Sequence, residues 1–577
     1  MIQLIRDFLR PYRTSLVVII LLVTTQSLAN LYLPFLNADI INDGVVTGDI
    51  GYIVEVGVLM LGISLALGVV AIIAVYFSAR TAMGFGRDVR RSMFHAVESF
   101  SLQEVNKFGK PSLITRNTND VQQVQMLVLV ALTTLIAAPI TAIGGVIMAL
   151  RTNVQLSALL LFIVPIMAVV IGAIVSQAVP LFRSVQTKID GINAVLRENL
   201  AGIRVIRAFV RTRSEEARFE RANDELTDTS LRVARLFALM MPALMLIFNL
   251  SSVAVIWFGG HLVNSGDIQI GDLTAFLAYI MQILFSVMMA VMLMTMVPRA
   301  AASAERIQQV LQTSPGISDP ADPKSLPPSG ASIEVRNASF QYPGAQDPVL
   351  CDVSFEIRPG QFTAVVGGTG SGKTTLVNLI TRLYDVSSGQ IAIDGVDVRA
   401  VPQEKLWSRF GLVPQQAFLF RGSIASNVRF GAEDASNEEV WQALQIAQAD
   451  SFVTQLADGL DSEIDQGGSN VSGGQRQRLA IARAVVRQAP IYIFDDSFSA
   501  LDYTTDARLR AALRQHTRDS AVLVVAQRIS TIRDADQIVV LDRGTVAGIG
   551  THESLMADCE TYREIVLSQL TETEAEA

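Results

Sequence analysis

The chain has 577 residues, of which 50% are hydrophobic and only 17% are charged, with a mean hydropathy of +0.39 and a formal net charge of −8. Soluble proteins carry about 25% charged residues, so this composition argues against an ordinary water-soluble enzyme and, being rich in apolar residues, against a disordered chain. The acidic balance argues against nucleic acid as a partner, and the two cysteines form neither a disulfide framework nor a zinc pattern.

Six uninterrupted runs without Asp, Glu, Lys, Arg or His lie in the first 300 residues, and each is at least 24 residues long. They span residues 14–38, 56–79, 121–150, 152–182, 236–260 and 273–298. Because about 20 apolar residues cross a bilayer, the runs predict six membrane helices. Beyond Arg299 the longest such run has 14 residues, so we expect the remainder to be water-soluble. Buried helices of a large soluble core would not explain why all six runs lie in one half.

The distribution of Lys and Arg predicts the orientation of these helices. Basic residues precede the first run and are frequent at 80–120 and 183–235, whereas the segments 37–52 and 261–272 contain no Lys or Arg. Since basic loops stay in the cytoplasm, both termini are predicted to be cytoplasmic in a multi-pass protein of a cell membrane, such as a bacterial inner membrane. The two basic segments are too long for turns, and we expect them to continue the membrane helices into the cytoplasm.

The composition changes after the sixth run. Residues 313–331 contain five prolines and no hydrophobic periodicity, which is typical of a linker. We therefore predict a membrane domain at 1–312, a linker at 313–331, a soluble domain at 332–570 and a disordered acidic tail at 571–577.

An apolar strand at 362–366 leads into a glycine-rich loop and then into an apolar helical start, the context expected of a phosphate-binding P-loop. The loop comprises Gly367, Gly368, Thr369, Gly370, Ser371, Gly372, Lys373, Thr374 and Thr375. Glycines let backbone N–H groups approach phosphates, and the helix N-terminus adds positive potential. Lys373 is expected to reach the β- and γ-phosphates, and the Thr374 hydroxyl to bind Mg²⁺.

Two further patterns lie downstream of the P-loop. An apolar strand at 491–494 ends in Asp495 and Asp496, and a carboxylate at this place is the usual second contact to Mg²⁺. A second helical start with anion-binding geometry is formed by Ser472, Gly473, Gly474 and Gln475. One nucleotide site needs one phosphate-binding loop, so the second loop indicates a contact with a different nucleotide.

With these motifs in this order, the soluble half resembles the ATPase domain of ABC transporters, and the whole chain is similar to an exporter-type half-transporter of the multidrug kind. The resemblance covers nearly all 577 residues. It implies an α-helical six-span membrane domain fused to an α/β P-loop ATPase domain that binds ATP and Mg²⁺. It also implies that two ATPase domains meet head to tail, with each ATP between the P-loop of one and the signature motif, residues 472–475, of the other.

The resemblance assigns roles to residues outside the P-loop. Tyr342 matches the aromatic residue that stacks on adenine. Gln415 matches the Q-loop glutamine, which contacts Mg²⁺ and senses the membrane domain. Asp495 closes the Walker B motif, and Asp502 ends the D-loop. The implied Mg²⁺ contacts are therefore Thr374, Gln415 and Asp495.

Two residues depart from the family pattern at the hydrolytic end of the site. Asp496 stands where the family has the Glu that polarises the attacking water. Its side chain is one methylene shorter, so its carboxylate falls about 1–1.5 Å short of that water, a misplacement that can lower the rate of hydrolysis on the order of 10²-fold. Gln527 stands where the family has the switch histidine, and Gln cannot carry charge. We expect Asp496, Gln527 and Gln415 to form a degenerate catalytic site that binds ATP and hydrolyses it poorly. Neutral drift, with Asp and Gln still working at a lower rate, is the alternative.

We expect the chain to form a heterodimer with a second half-transporter. Residues 472–475 of this chain would complete the active site of that partner. The segments 108–120 and 202–209 resemble the two coupling elements of this family, the second of which docks on the partner. Uncharged helix interiors and methionines in the fifth and sixth runs favour small apolar, amphipathic or lipid-like cargo and contact with membrane lipids, although such methionines are equally typical of packing. An importer of the siderophore type on the same fold and an ATP-gated regulator are the alternative functions.

Overall fold

The computed structural model describes residues 1–328 and 330–569, the side chains of Met292, Met294 and Thr295 excepted. The described residues form two compact units. The first comprises Met1–Glu98 and Lys110–Thr313, and the second comprises Ser99–Gly109 and the residues from Ser314 onward. The tail predicted at 571–577 lies outside the described residues.

The first unit is helical. Within the described residues, six helices are long and apolar enough to cross a membrane, which confirms the six predicted spans. They run over Ile2–Val45, Ile50–Glu98, Lys110–Thr152, Val154–Ala208, Thr212–Ser265 and Ile270–Leu311. Their lengths of 42 to 55 residues are about twice what a bilayer requires, because each helix continues beyond its uncharged run.

The fourth and fifth helices pack against each other and are linked by exposed ion pairs. Lys188 Nζ lies 2.7 Å from Glu225 Oε2, and Arg218 Nη1 lies 2.7 Å from Glu198 Oε2. Such pairs contribute little stability, so they orient the two helices rather than hold them together. The turn between the helices, residues 209–211, exposes two apolar side chains: Phe209 is 73% exposed and Val210 is 85% exposed. We call this turn the apolar tip.

The second unit is an α/β domain whose described residues contain three sheets. The strands are β1 (Ile333–Phe340), β2 (Leu350–Ile357), β3 (Phe362–Gly367), β4 (Ser388–Ile393), β5 (Val396–Asp397), β6 (Phe410–Val413), β7 (Gly422–Ser423), β8 (Glu463–Ile464), β9 (Ile491–Asp495), β10 (Ala521–Val525), β11 (Gln537–Asp542) and β12 (Thr545–Gly550). The main helices are Lys373–Ile380, Gln403–Trp407, Ile424–Arg429, Asn437–Ile446, Asp450–Thr454, Gly473–Val485, Tyr503–His516, Ile529–Ile532, His552–Asp558 and Glu560–Leu567.

The largest sheet has the order β12-β11-β3-β10-β9-β6 and is parallel except for its edge strand β12. Every residue of β9 and β10 is buried, as expected for parallel strands covered by helices on both faces. The second sheet, β2-β1-β4-β5, is antiparallel, and β7 pairs with β8. The predicted combination of a six-span helical domain with an α/β domain is confirmed.

The predicted linker has no regular structure in its described residues, yet the ATPase-like unit holds it. The N–H of Lys324 donates to the carbonyl oxygen of Ala400 at 2.8 Å, and the N–H of Gln403 donates to Asp319 Oδ1 at 2.8 Å. Both hydrogen bonds join the linker to residues 400–403, so its irregular backbone is anchored to the rest of the second unit.

A short helix, Leu102–Phe108, belongs to the second unit although it lies between the second and third membrane helices in the chain. Its Leu102 packs against the hydrophobic core of the unit, and Asn106 Nδ2 donates to the Tyr384 hydroxyl at 3.1 Å. Sequence analysis placed the first coupling element at 108–120. Of that segment, residues from Lys110 onward begin the third membrane helix instead.

Candidate nucleotide-binding site

Four neighbouring parallel strands bring the predicted site residues to one edge of the large sheet. β3 ends at Gly367, β10 at Val525, β9 at Asp495 and β6 at Val413. In the register of the sheet Val525 lies beside both Val365 and Asp495. The carboxyl ends of parallel strands meet at the same edge, where α/β proteins bind ligands. The loops after these strands carry the P-loop, Gln527, Asp496 and Gln415.

A cavity of about 280 Å³ opens at this edge. It is lined by Val349, Thr369, Gly370, Gly372, Lys373, Thr374, Thr375, Gln415, Asp495, Asp496, Val525 and Gln527. Ten of these twelve residues were predicted as site residues. Val349, directly before β2, and Val525, at the end of β10, were missed, because an apolar residue next to or within a strand is ordinary and carries no sequence signal.

The P-loop wraps around its own lysine. Lys373 is 9% exposed, and its ammonium group donates to the carbonyl oxygens of Gly367 at 2.9 Å and Gly368 at 2.8 Å. Gly372 has a φ of 99°, and a Cβ there would lie 2.5 Å from a methyl group of Leu350, so only glycine fits. Burial lowers the pKa of Lys373, and the nearby Asp496 and Asp495 oppose that shift. The loop therefore holds a desolvated cation with its backbone already shaped for an anion.

Asp495 is a buried carboxylate with an open coordination position. It is 4% exposed, and its Oδ1 has no hydrogen-bond partner among the described residues. Burial raises the pKa of Asp495 and the charge of Asp496 raises it further, while the Thr374 hydroxyl and the Lys373 ammonium oppose the shift. Native proteins rarely leave such an oxygen unpaired, and carboxylate, hydroxyl and amide oxygens are ligands for a hard divalent cation. Asp495, Thr374 and Gln415 therefore fit Mg²⁺.

Asp496 is held in place by its main chain. Its N–H donates to the carbonyl oxygen of Val525 at 2.8 Å, and its own carbonyl oxygen accepts from the Ser499 hydroxyl at 3.0 Å. Its φ of 48° lies in the left-handed region, which Asp tolerates better than most residues. The side chain accepts a hydrogen bond from Gln415 Nε2 at 3.4 Å. The carboxylate is thus positioned at the cavity wall.

Tyr342 does not line the cavity. Its hydroxyl lies 3.0 Å from the Thr375 hydroxyl, and its ring meets those of Phe340 and Tyr384 edge-on, with centroids 4.8 and 5.3 Å away. The structure therefore places Tyr342 beside the helix that follows the P-loop. Gly367, Gly368 and Ser371 also stay outside the lining. The two glycines and the Ser371 hydroxyl, 3.4 Å from Lys373 Nζ, surround the lysine instead.

The second phosphate-binding pattern lies elsewhere on the unit. Ser472 caps helix Gly473–Val485 with a reciprocal capping box: its N–H donates to Gln475 Oε1 at 2.9 Å, and its hydroxyl accepts from the Gln475 N–H at 3.2 Å. Ser472 and Gly473 are exposed. None of the residues 472–475 lines the described cavity.

Asp502 caps the following helix, Tyr503–His516. Its carboxylate accepts from the Thr505 N–H at 3.0 Å. The hydrogen bonds from Thr505 hold the pKa of Asp502 below its usual value. Asp502, too, lies outside the cavity lining, so the structure keeps the D-loop aspartate apart from the residues around Lys373.

The loop carrying Gln527 has a contact that sequence analysis missed. The carbonyl oxygen of Gln527 accepts a hydrogen bond from Gln569 Nε2 at 2.7 Å. A lone glutamine near the end of a chain carries no sequence signal, because the contact is made by tertiary structure.

Comparisons with known proteins agree with this arrangement. A family model described as the ABC transporter transmembrane region matches residues 16–287, and one described as ABC transporter matches residues 350–499. The chain is 49% identical over 574 residues to an uncharacterized ABC transporter ATP-binding protein of Mycobacterium tuberculosis, covering 99% of this chain and 98% of that protein. It is 33% identical over 478 residues to an ATP-dependent lipid A-core flippase of Syntrophus aciditrophicus, covering 83% and 79%. Among solved structures, a bacterial Atm1-family ABC exporter with ATP bound matches with a TM-score of 0.81 and 25% identity, covering 98% of this chain and 99% of that one.

Proposed function

The chain belongs to the ABC transporter family, and on that premise we propose that it is one subunit of a heterodimeric, ATP-driven exporter. In this proposal its own P-loop forms a degenerate ATP site, and residues 472–475 complete the active site of a second half-transporter. The cargo is apolar, amphipathic or lipid-like and leaves the cytoplasm or the inner leaflet of the membrane.

Asp496 is the observation that carries the degenerate site. Its N–H and carbonyl groups are both hydrogen-bonded, so the backbone is not free to advance and compensate for the missing methylene. Its carboxylate accepts a hydrogen bond from Gln415, which lines the same cavity. Gln527, which lines the same cavity, supplies an amide where the family has an imidazole that can carry charge. Two weakened groups on one hydrolytic apparatus, beside a complete P-loop, favour binding over turnover.

The P-loop residues account for nucleotide binding. Lys373 carries a positive charge in a low-dielectric setting, where its attraction to phosphate is stronger than in water. The N-terminus of helix Lys373–Ile380 adds its own positive potential. Asp495, Thr374 and Gln415 would hold Mg²⁺, which supplies neutralising charge to the phosphates when bound. Bound nucleotide would also draw Lys373 away from the two carbonyl oxygens that it now contacts.

The exposed helix start at Ser472 supports the dimer. Its backbone N–H groups and helix dipole make an anion-binding surface. The residues that line the nucleotide cavity of this chain lie elsewhere in the unit. Such a surface contributes to hydrolysis only when a second ATPase domain presents a nucleotide to it. The intact Ser-Gly-Gly-Gln sequence therefore favours a competent site formed together with the partner.

Two elements support coupling to the membrane unit. Helix Leu102–Phe108 packs into the ATPase unit of its own chain. The apolar tip exposes Phe209 and Val210, which suits docking into an apolar groove on the partner.

The ATPase unit carries an exposed aromatic cluster, Phe418, Phe420 and Phe430, that suits the equivalent tip of the partner. The rings of Phe420 and Phe430 are stacked with centroids 4.6 Å apart, and the Arg483 guanidinium lies over both. Phe418, which meets Phe420 edge-on, directly follows the Q-loop region. Movement of a docked tip would therefore reach Gln415 over a few residues.

The membrane unit supports apolar cargo. Met241 and Met245 of the fifth helix meet Met281 and Met288 of the sixth in a narrow cleft that Phe285 also lines. Flexible thioether side chains adapt to apolar ligands of different shape. The similarity to a protein described as a lipid A-core flippase favours a lipid-like compound.

Reconstitution of the full-length chain tests the proposal. We expect the chain alone in liposomes to bind ATP but to hydrolyse it slowly, and co-expression with a second half-transporter to yield a stable complex whose ATPase activity rises with fluorescent lipid. With ATP supplied outside liposomes whose ATPase domains face outward, an exporter accumulates lipid in the lumen or inner-facing leaflet of the vesicle. Loss of lipid from that side would instead show import. ATP hydrolysis by the chain alone at rates typical of two competent sites would contradict the degenerate site.

A further inference from the structure

The end of the described chain is hydrogen-bonded to the loop that carries Gln527. Two residues beyond helix Glu560–Leu567, the side-chain amide of Gln569 makes two hydrogen bonds to the main chain of that loop. Its Nε2 donates to the carbonyl oxygen of Gln527 at 2.7 Å, and its Oε1 accepts from the N–H of Ile529 at 3.0 Å. We call this pair of hydrogen bonds the C-terminal clamp. It spans a three-residue segment in the way a neighbouring β-strand would.

The residue between the two clamped positions connects the loop to the D-loop. The Arg528 guanidinium donates to the carbonyl oxygen of Ser499 at 2.9 Å and to that of Leu501 at 3.4 Å. The clamp therefore fixes the backbone from which one side chain, Gln527, lines the nucleotide cavity and the next, Arg528, holds the D-loop. A small rotation of this backbone would move both groups together.

The helix that precedes the clamp, Glu560–Leu567, is anchored by buried side chains. Tyr562 and Val566 of the preceding helix are fully buried, and the Tyr562 hydroxyl lies 2.8 Å from His552 Nδ1. The N–H of Ser568 donates to the carbonyl oxygen of Glu564, and that of Gln569 to the carbonyl oxygen of Val566, both at 3.0 Å. The amide of Gln569 thus extends from an ordered helix end, whereas its two partners belong to an exposed loop start, where residues 527 and 528 are solvent-accessible.

We propose that Gln569 is a positioning residue of the ATP site: through the C-terminal clamp it sets the reach of Gln527 toward the terminal phosphate of the nucleotide. The inference rests on the proposed function and on a contact that follows from it, in which the side-chain amide of Gln527 lines the cavity and donates a hydrogen bond to that phosphate. It implies that Gln569 influences the discrimination between ATP and ADP, since only ATP extends to Gln527. It implies no effect on the part of the site that binds the first two phosphates.

The test uses the purified full-length chain in lipid nanodiscs and four variants. Gln569→Ala removes both hydrogen bonds, Gln569→Glu keeps only an acceptor for the Ile529 N–H, Gln527→Ala removes the cavity side chain, and Ser568→Ala is the matched control, because its hydroxyl bonds only to the Ile565 carbonyl oxygen. The dissociation constants of Mg-ADP and of the Mg complex of a non-hydrolysable imido analogue of ATP are measured. Amide hydrogen exchange of residues 527–532 is followed in the same samples.

We expect Gln569→Ala to lower the preference for the ATP analogue over ADP about tenfold, as loss of one or two hydrogen bonds would. ADP affinity stays within about twofold of the parent, and the Ile529 amide exchanges about tenfold faster. Gln569→Glu gives a smaller change in exchange than Gln569→Ala, and Ser568→Ala gives none. A merely structural role would instead weaken ADP and the analogue alike, and that result would overturn the proposal, as would unchanged exchange at Ile529.

The Gln527→Ala variant separates this inference from the role proposed for Gln527. If Gln527→Ala alters the preference for ATP and Gln569→Ala does not, the positioning role of Gln569 is wrong. If Gln527→Ala leaves the preference unchanged, the proposed phosphate contact is wrong, and the positioning role falls with it even when exchange at Ile529 is faster.

Discussion

The ATPase unit contains two helix starts built for phosphate, and they differ in what surrounds them. At the first start Lys373 is buried, and its side chain lines one cavity together with two carboxylates, Asp495 and Asp496, and the amide of Gln415. The start at Ser472 is exposed and capped by its own Gln475. The first is a binding site within one chain. The second has the backbone geometry of a site, but in the described part of the chain its residues line no part of the cavity that holds those groups.

The difference separates binding from turnover. A buried lysine and a polar cavity are sufficient to hold a nucleotide, because they supply charge where water is displaced. Hydrolysis also needs a group that activates water, and in the proposed degenerate site Asp496 would occupy that position. In the proposed heterodimer the chain would therefore contribute a binding surface to one site and an exposed helix start to the other. The difference between the two helix starts can be tested by substitution at Lys373, Ser472, Asp496 and Asp495, with effects that decrease in this order.

Replacement of the P-loop cation gives the largest effect. We expect Lys373→Met to lower the affinity of the chain for Mg-ATP about a thousandfold, because two or more charge-assisted contacts to phosphate are lost. Lys405→Met, on the exposed face of helix Gln403–Trp407, is the control and should change nothing. Equilibrium binding of a fluorescent ATP analogue measures both. A loss smaller than tenfold would mean that Lys373 does not contact the phosphates.

Disruption of the exposed helix start should affect turnover and not binding. We expect Ser472→Arg to leave the nucleotide affinity of the chain alone unchanged and to reduce ATP hydrolysis by the assembled pair about 100-fold, since a bulky cation displaces the phosphate contact. Ser436→Arg is a matched control, because Ser436 is also an exposed helix cap with a capping box. Weaker nucleotide binding by the Ser472→Arg chain alone would contradict the division between the two helix starts.

Lengthening the carboxylate at 496 should restore part of the hydrolysis. We expect Asp496→Glu to raise single-turnover ATP hydrolysis at this chain's site about tenfold, less than the full 10²-fold because the left-handed backbone at this position penalises Glu. The measurement uses the assembled pair with the partner's P-loop disabled. Asp496→Gln has the same length without the charge and should give no increase. Equal rates for the Glu and Gln variants would exclude carboxylate reach as the cause.

Removal of the buried charge at 495 should stabilise the ligand-free chain slightly. The folded-state pKa of Asp495 lies above its unfolded value, so the carboxyl favours folding only while it is protonated, and its ionisation opposes folding as the pH rises above 3.8. We expect Asp495→Asn to raise the free energy of unfolding at pH 7 by about 1 kcal/mol, with a gain that shrinks toward acid pH. It should also abolish the extra thermal stabilisation that Mg²⁺ adds to ATP. Persistence of that stabilisation would remove Asp495 from the Mg²⁺ contacts.

The sequence was sufficient to predict the local parts of the site, because a strand, its loop and the following helix are contiguous in the chain. Residues 367–375 follow the predicted strand at 362–366, and Asp495 and Asp496 stand at the end of the predicted strand at 491–494. The long-range contacts were not predictable. Asn106 and Tyr384 are 278 residues apart, and Gln569 is 42 residues from Gln527, so neither pair leaves a pattern in the sequence. The position of Tyr342 likewise depends on how its ring packs against Phe340 and Tyr384.

The apolar tip has a consequence for the life of the chain before assembly. The fourth and fifth helices, which meet at the tip, are 55 and 54 residues long, so each extends about 80 Å, of which a bilayer covers about 30 Å. With the predicted orientation, a newly made chain that had not met the proposed partner would therefore display Phe209 and Val210 far from the membrane on its cytoplasmic side, where chaperones and proteases bind exposed apolar segments. Docking would hide the same two side chains. If the tip docks on a partner as proposed, the same two side chains would also mark unpaired subunits for removal, and the amounts of the two subunits would stay matched.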